Sequence, residues 1–264
     1  MKHLKFTFST KIEFSVPVCG HSFVLRCLPS SDARQKVEAS LRTDPHVQLC
    51  WQADVFGNAL AVGDIVAGHN SFSYEVEGTA IIDASVALRE LPHPMFSYPG
   101  QLTVPSAAMT AFAEGNGCAR NAARALSPGE LAAGCEILMH AVHDVLEYVP
   151  GATRVSTSAE AAFEQGGGVC QDYAHVMVAL LRYWGAPARY VSGLTLGEGA
   201  THAWAEANLA GEWRGFDPTR NRICDDTYLA VARGRDWADC PIERGVFLGA
   251  ADQLQTVFMK VMEQ

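Results

Sequence analysis

Thr201-His202-Ala203-Trp204-Ala205-Glu206-Ala207-Asn208-Leu209 runs into Ala210-Gly211 and out through Glu212-Trp213-Arg214-Gly215-Phe216-Asp217-Pro218. The first arm alternates strictly and the second is stopped by a proline. With a two-residue turn between them, the stretch reads as a β-hairpin. Residues equidistant from the turn oppose each other, so Trp204 faces Asp217. Opposed residues share a face, and His202 shares the face of Trp204. His202 and Asp217 are then diagonal neighbours, roughly 7–8 Å apart at the backbone, which an imidazole and a carboxylate bridge. A slip of one residue would put them on opposite faces. An aspartate in that place fixes the imidazole tautomer through one ring nitrogen and leaves the other for a reacting group. Ala188 to Leu196 reads as a preceding strand, with Gly197-Glu198-Gly199 as a loop between.

Upstream stands Gln165-Gly166-Gly167-Gly168-Val169-Cys170-Gln171-Asp172-Tyr173-Ala174-His175, followed by an apolar run to Trp184-Gly185. Three glycines permit a tight bend and close approach of a substrate. The run is a helix ended by Gly185, with Pro187 beyond. Cys170 falls in its first turn, where unpaired N–H groups and the positive end of the dipole favour thiolate over thiol. The same N–H groups suit a developing oxyanion. Taken alone, the segment also fits a structural turn before a core helix with a buried thiol. Gln165 reads as a solvated loop amide more than an oxyanion donor. His175 points about 140° around the helix from Cys170 and reads as a buried or supporting histidine, not the base.

The chain has 264 residues, with 48% hydrophobic and 19% charged, an ordinary globular composition. Lys and Arg number 20 against 29 Asp and Glu, a net charge of −9. That balance repels phosphate backbones and anionic lipid surfaces, so neither nucleic acid nor membrane is an expected partner. The N-terminus has no apolar core of a secretory signal, and no stretch has the length to span a bilayer. Eight scattered cysteines with no C-x-x-C pair read as reduced thiols in a cytoplasmic protein. Cys224 and Cys240 lie near several aspartates, but the spacing fits no zinc site, and no metal or cofactor is expected.

Residues 1 to about 97 read as strands with turn signals between them, an antiparallel β-sandwich. Leu91-Pro92-His93-Pro94, Pro99-Gly100 and Pro105 read as a linker. Helical signals follow at Ser106 to Ala113, at Ser127-Pro128-Gly129-Glu130 (a capping box opening a helix to about Tyr148) and at Ser158 to Glu164. The expected division is an N-terminal β-sandwich over 1–97 and a catalytic unit over 98–264.

Four stretches resemble the transglutaminase-like superfamily: Gly168 to His175, Gly185 to Gly193, His202-Ala203-Trp204-Ala205-Glu206, and Trp213 to Thr219. The Asp54-Val55-Phe56-Gly57-Asn58 element and the Val231 to Pro241 stretch are similar to the bacterial subgroup described as transglutaminase-like cysteine proteases. The resemblance implies an α+β fold: an N-terminal β-sandwich, then a papain-like core whose Cys-bearing helix packs on an antiparallel sheet. It also implies Cys170 as nucleophile, His202 as base and acid, and Asp217 as orienter. Ala141-Val142-His143-Asp144 departs from the family's aromatic there, and no wall role is carried from it. The expected activity is thiol-dependent hydrolysis of an amide or isopeptide in a peptide, protein or small amide, through a thioester. The alternatives are protein-glutamine acyl transfer and an inactive peptide-binding module. Oligomeric state is left open.

Overall fold

In the computed structural model, which describes residues 1–264, the alternating N-terminal segments join into one strand, β1 (Lys2–Leu25). Its buried residues are even-numbered from Leu4 to Phe14 and odd-numbered from His21 to Leu25. The phase change falls around Gly20, whose φ is +55°, and the pairing registers shift nearby. An irregularity of this kind bends a strand, and here it hands β1 from one sheet to the next. The front half lies between β5 (His69–Ile82) and β16 (Gln253–Glu263), with β2 (Gln35–Asp44) beyond β5. The back half lies between β4 (Ala59–Ile65) and β15 (Glu243–Leu248), with β3 (Cys50–Ala53) beyond β4. Phe6, Phe23, Phe72 and Val76 are among the side chains filling the core between them.

Two segments cross the boundary expected at residue 97. The tail, β15 and β16, returns to β1. In the other direction β6 (Leu88–Arg89) pairs with β12 (Glu212–Asp217) in the second sheet. That sheet runs β13 (Arg222–Ile223), β12, β11 (His202–Leu209), β9 (Ala188–Thr195), β14 (Tyr228–Gly234), every pair antiparallel. The sheets are mostly antiparallel and curl as half-barrels. Every residue of β9 and β11 is buried.

The central helix is α4 (Cys170–Trp184), buried on all sides from Asp172 to Arg182. A helix apolar around its whole circumference belongs in a core. One side rests on β9 and β11; α1 (Ala107–Gly115), α2 (Pro128–Val145) and α3 (Ala159–Gln165) cover the other. All three covering helices start on serine N-caps, Ser106, Ser127 and Ser158, and Ser127 forms the expected capping box with Glu130. Gly134 in α2 is required by packing, because a Cβ there would enter the Trp184 ring. No helix is long and apolar enough to cross a membrane.

Buried charges stitch the sheets together. Glu206 accepts from Arg189 Nε at 2.6 Å and Arg233 Nε at 3.3 Å. Arg233 also reaches Asp32 at 2.9 Å, and Arg189 reaches Glu90 at 3.2 Å. Burial alone would raise the Glu206 pKa, but the two guanidinium groups outweigh it and hold the carboxyl at about 2. Its contribution to stability is therefore complete above the ordinary value of 4.5 and drains away as pH falls towards 2. Glu206→Gln removes the buried carboxylate that both guanidinium groups share, leaving each with a single, more exposed carboxylate partner, and is expected to cost about 3 kcal/mol in urea unfolding at pH 7. The variant should also show a smaller fall in stability between pH 4.5 and 2 than the wild type. A cost below about 1 kcal/mol would contradict this account of the network.

Candidate active site

The hairpin register is the one expected. Leu209 pairs with Glu212, Asn208 with Trp213, and so on to Ala205 with Phe216. The turn residues take φ of +55° at Ala210 and +101° at Gly211, the left-handed pair that matches strand twist. One step further along, His202 and Asp217 meet at the end of the strands, and His202 Nε2 donates to Asp217 Oδ2 at 2.7 Å.

Asp217 has no exposed surface. Its Oδ2 also accepts from the Tyr228 hydroxyl at 2.8 Å, and its Oδ1 accepts from the Thr219 and Arg220 N–H groups at 3.0 and 3.1 Å. Burial pushes its pKa up, but these donors and the His202 ring prevail and hold it below the usual carboxylate range. The same exchange acts on His202. Burial would lower its pKa; hydrogen bonds to Asp217 and Cys170, with the charges of both, raise it to about 9. With Nε2 engaged by Asp217, Nδ1 is the nitrogen left for Cys170.

Cys170 is the first residue of α4 and is half-buried. The first N–H groups of a helix have no intrahelical acceptor, so the sulfur sits beside unpaired donors. The approach to it is shaped by Asp172, whose Oδ2 accepts from the Val169 N–H at 2.8 Å and the Thr153 hydroxyl at 2.7 Å. A side chain at Gly168 would collide with that carboxylate, which is why a glycine stands two residues before the cysteine. Gly168 pairs with Tyr148 in a short parallel ladder, β7 (Glu147–Tyr148) with β8 (Gly167–Gly168). Burial, and next the charge of Cys170, raise the pKa of the Tyr148 hydroxyl. The ring is half exposed and lies against Tyr173, with centroids 6.5 Å apart.

The structure thus brings Cys170, His202 and Asp217 to one place. It keeps the two remaining candidates away from the chemistry. Gln165 donates to the Ala152 carbonyl at 3.5 Å. His175 is fully buried, and its Nε2 accepts from the Trp237 N–H at 3.0 Å. Tyr228, Tyr148 and Asp172 were not singled out as site residues. Tyr148 precedes Val149-Pro150-Gly151, which reads only as a turn, and Tyr228 sits three strands away from Asp217 in the sheet. Asp172 alone left a usable signal, an acid at the third position of a helix. No three His, Cys, Asp or Glu side chains cluster as ligands for a metal ion.

Residues 120–218 match the transglutaminase-like superfamily core, and residues 4–80 match the bacterial transglutaminase-like N-terminal region. An uncharacterized protein of Mycobacterium leprae is 40% identical over 114 residues, 39% of this chain and 40% of that one. One of Mycobacterium tuberculosis is 40% identical over 115 residues, 38% of this chain and 37% of that one. The matched stretch therefore spans well under half the length of these curated relatives. A crystal structure from Cytophaga hutchinsonii, described as that of a candidate cysteine protease, superposes with a TM-score of 0.77. It is 22% identical and covers 100% of this chain and 91% of that one, a likeness of fold. With the core model over 120–218 and the N-terminal model over 4–80 both matched, the chain belongs to the transglutaminase-like superfamily.

Proposed function

We propose that the protein is a thiol-dependent amide or isopeptide hydrolase working through Cys170, His202 and Asp217. The observation that carries this reading is the 2.7 Å bond from His202 Nε2 to a buried Asp217, which leaves Nδ1 for Cys170, the second group that raises the His202 pKa. That arrangement favours a thiolate–imidazolium pair. The thiolate attacks the amide carbonyl, and the oxyanion forms beside the unpaired N–H groups of the helix start. As the C–N bond breaks, His202 gives its proton to the leaving amine and a thioester remains on Cys170. Water then attacks, His202 takes its proton, and the acid leaves as the thiol is restored. An amine in place of water would make the same step an acyl transfer. The substrate class is a peptide, protein or small amide, and free thiols at all eight cysteines suit a reducing cytoplasm.

Burial raises the pKa of Cys27, Cys118, Cys135, Cys224 and Cys240, which protects them from alkylation. Cys19 and Cys50 are exposed and have no imidazole partner. Limiting iodoacetamide near pH 6 should therefore modify Cys170 first, and His202→Ala should abolish that preference. Peptide mapping that finds Cys170 among the slowest thiols would sink the proposal.

Acylation by an activated ester such as p-nitrophenyl acetate should add one acyl mass to Cys170 and none in Cys170→Ser. Asp217→Asn should lower the rate of that acylation roughly 10³–10⁴-fold, because the amide can hold the wrong tautomer. A Cys170→Ser protein that still turns over amides would refute the assignment.

The imidazolium must survive to protonate the leaving group, and His202 holds its proton up to about pH 9. Amide turnover is thus expected to fall on the alkaline side with an apparent pKa near 9. The stabilisation from the raised pKa is complete below 6.5 and is lost as pH rises through about 9. An alkaline limb at the ordinary histidine value of 6.5 would count against it.

A further inference from the structure

Where β1 passes between sheets, a cavity of about 660 Å³ opens among β1, β4, β15 and the start of β16. The chemistry at Cys170 uses none of its residues. Phe14, Phe23 and Phe247 form apolar walls, and His21, Asp64 and Glu243 supply polar groups. His21 is 2% exposed, with the three phenylalanine rings standing edge-on to it at centroid distances of 5.7 to 6.0 Å.

The tautomers here follow from one carbonyl. His69 Nδ1 lies 3.1 Å from the Ala67 carbonyl oxygen, which can only accept, so that nitrogen carries the proton. His69 Nε2 is then bare and accepts from His21 Nδ1–H at 3.2 Å. His21 Nε2 is left as a bare acceptor with no protein donor. Burial, and then the neighbouring His69, lower the His21 pKa, which keeps the ring neutral.

A second acceptor faces the same space. A Cβ built on Gly245 would lie 2.6 Å from His21 Nε2 and 3.1 Å from Glu243 Oε1. His21 Nε2 and Glu243 Oε1 therefore face the same side of Gly245, and a side chain there would press on both. Phe23 has glycine on each side across the ladder, Gly63 and Gly245, and its ring lies over Gly63. No hydrogen bond or ion pair engages Glu243. Asp64 is bound only to the Ser22 hydroxyl. Arg244, the one cation lining the cavity, donates to the Ala238 carbonyl at 2.9 Å. Two unmatched acceptors, surplus negative charge and aromatic walls together call for a ligand that donates several hydrogen bonds and carries positive charge.

We propose that this cavity binds a small organic primary ammonium compound, whose N–H groups are shared between His21 Nε2 and the Glu243 carboxylate. The proposal is independent of the activity assigned to Cys170. The probes are phenethylamine and its uncharged counterpart 2-phenylethanol, titrated into the full chain by calorimetry near pH 7.5. Phenethylamine is expected to bind at least about tenfold more tightly than the alcohol. Glu243→Gln and Gly245→Ala should each weaken amine binding about tenfold or more, leaving the rate of Cys170 alkylation unchanged. If Gly245→Ala fails to fold by circular dichroism, Glu243→Gln decides alone. Equal binding of amine and alcohol, undiminished amine binding by Glu243→Gln, or no saturable binding of phenethylamine would each overturn the proposal.

Discussion

A carboxylate withdrawn from water must be matched by donors or take up a proton. Asp217 is matched four times, by two backbone N–H groups on Oδ1 and by His202 and Tyr228 on Oδ2. The local sequence explains the division of labour. Pro218 has no N–H and ends β12, so the next two N–H groups turn back onto Oδ1 and leave Oδ2 free to face the sheet. Tyr228 is pushed up by burial and by the charge of Asp217 beside it, so its hydroxyl remains a donor. Asp217 is thus a turn cap and, in the function proposed, also the orienter of the His202 ring. With its carboxylate pinned, the His202 ring has one stable orientation, and every other element has to bring Cys170 to the nitrogen that remains.

The N-terminal sheets take part in that positioning. Gln35 imitates a strand neighbour for Ala230, its Nε2 donating to the carbonyl at 2.9 Å and its Oε1 accepting from the N–H at 3.0 Å. Ala230 lies two residues beyond Tyr228, so the clamp steadies the strand that supplies the second donor to Asp217. At the other end of the chain, β10 (Gly197–Gly199) pairs with Val261, Lys260 and Met259 of β16. The segment leading into His202 is therefore held by the tail. Removing the sheet would release two of the strands that frame the site, which is a physical reason for the tail to return to it.

The hairpin was legible because its information is local. An alternating arm, a two-residue turn and a terminating proline set the register of His202 and Asp217 with no knowledge of the rest of the fold. The start of α4 was legible for the same reason, since glycines, a helix-opening cysteine and a closing Gly185 lie within one short stretch. Tyr228 was not, because its bond to Asp217 crosses two strands and a tyrosine in a buried strand looks like any other. The tail was illegible for a different reason. Gln253 to Phe258 are exposed on both faces, so no period-2 pattern marks them as a strand, and their partner lies at the opposite end of the chain. The continuity of β1 was hidden by the phase change near Gly20, which resembles a turn between two strands.

Two histidines in this chain show why residue type alone does not single out the proposed base. His175 and His202 are both buried, and burial works against the charged form of each. His175 meets a backbone N–H on Nε2 and has the cationic Arg182 nearby, and its pKa falls to about 3. It is a neutral acceptor that ties α4 to the turn at Trp237. His202 meets an ionised carboxylate, and its pKa rises to about 9. Burial drives the His175 value down, and the ionised partner given to the His202 ring is what lifts its value above the ordinary range against the same force. That partner follows from strand register, because one step of slip would turn the His202 ring away from Asp217 and leave it with burial alone. The acid–base capacity of the site is therefore a property of the hairpin before it is a property of the histidine.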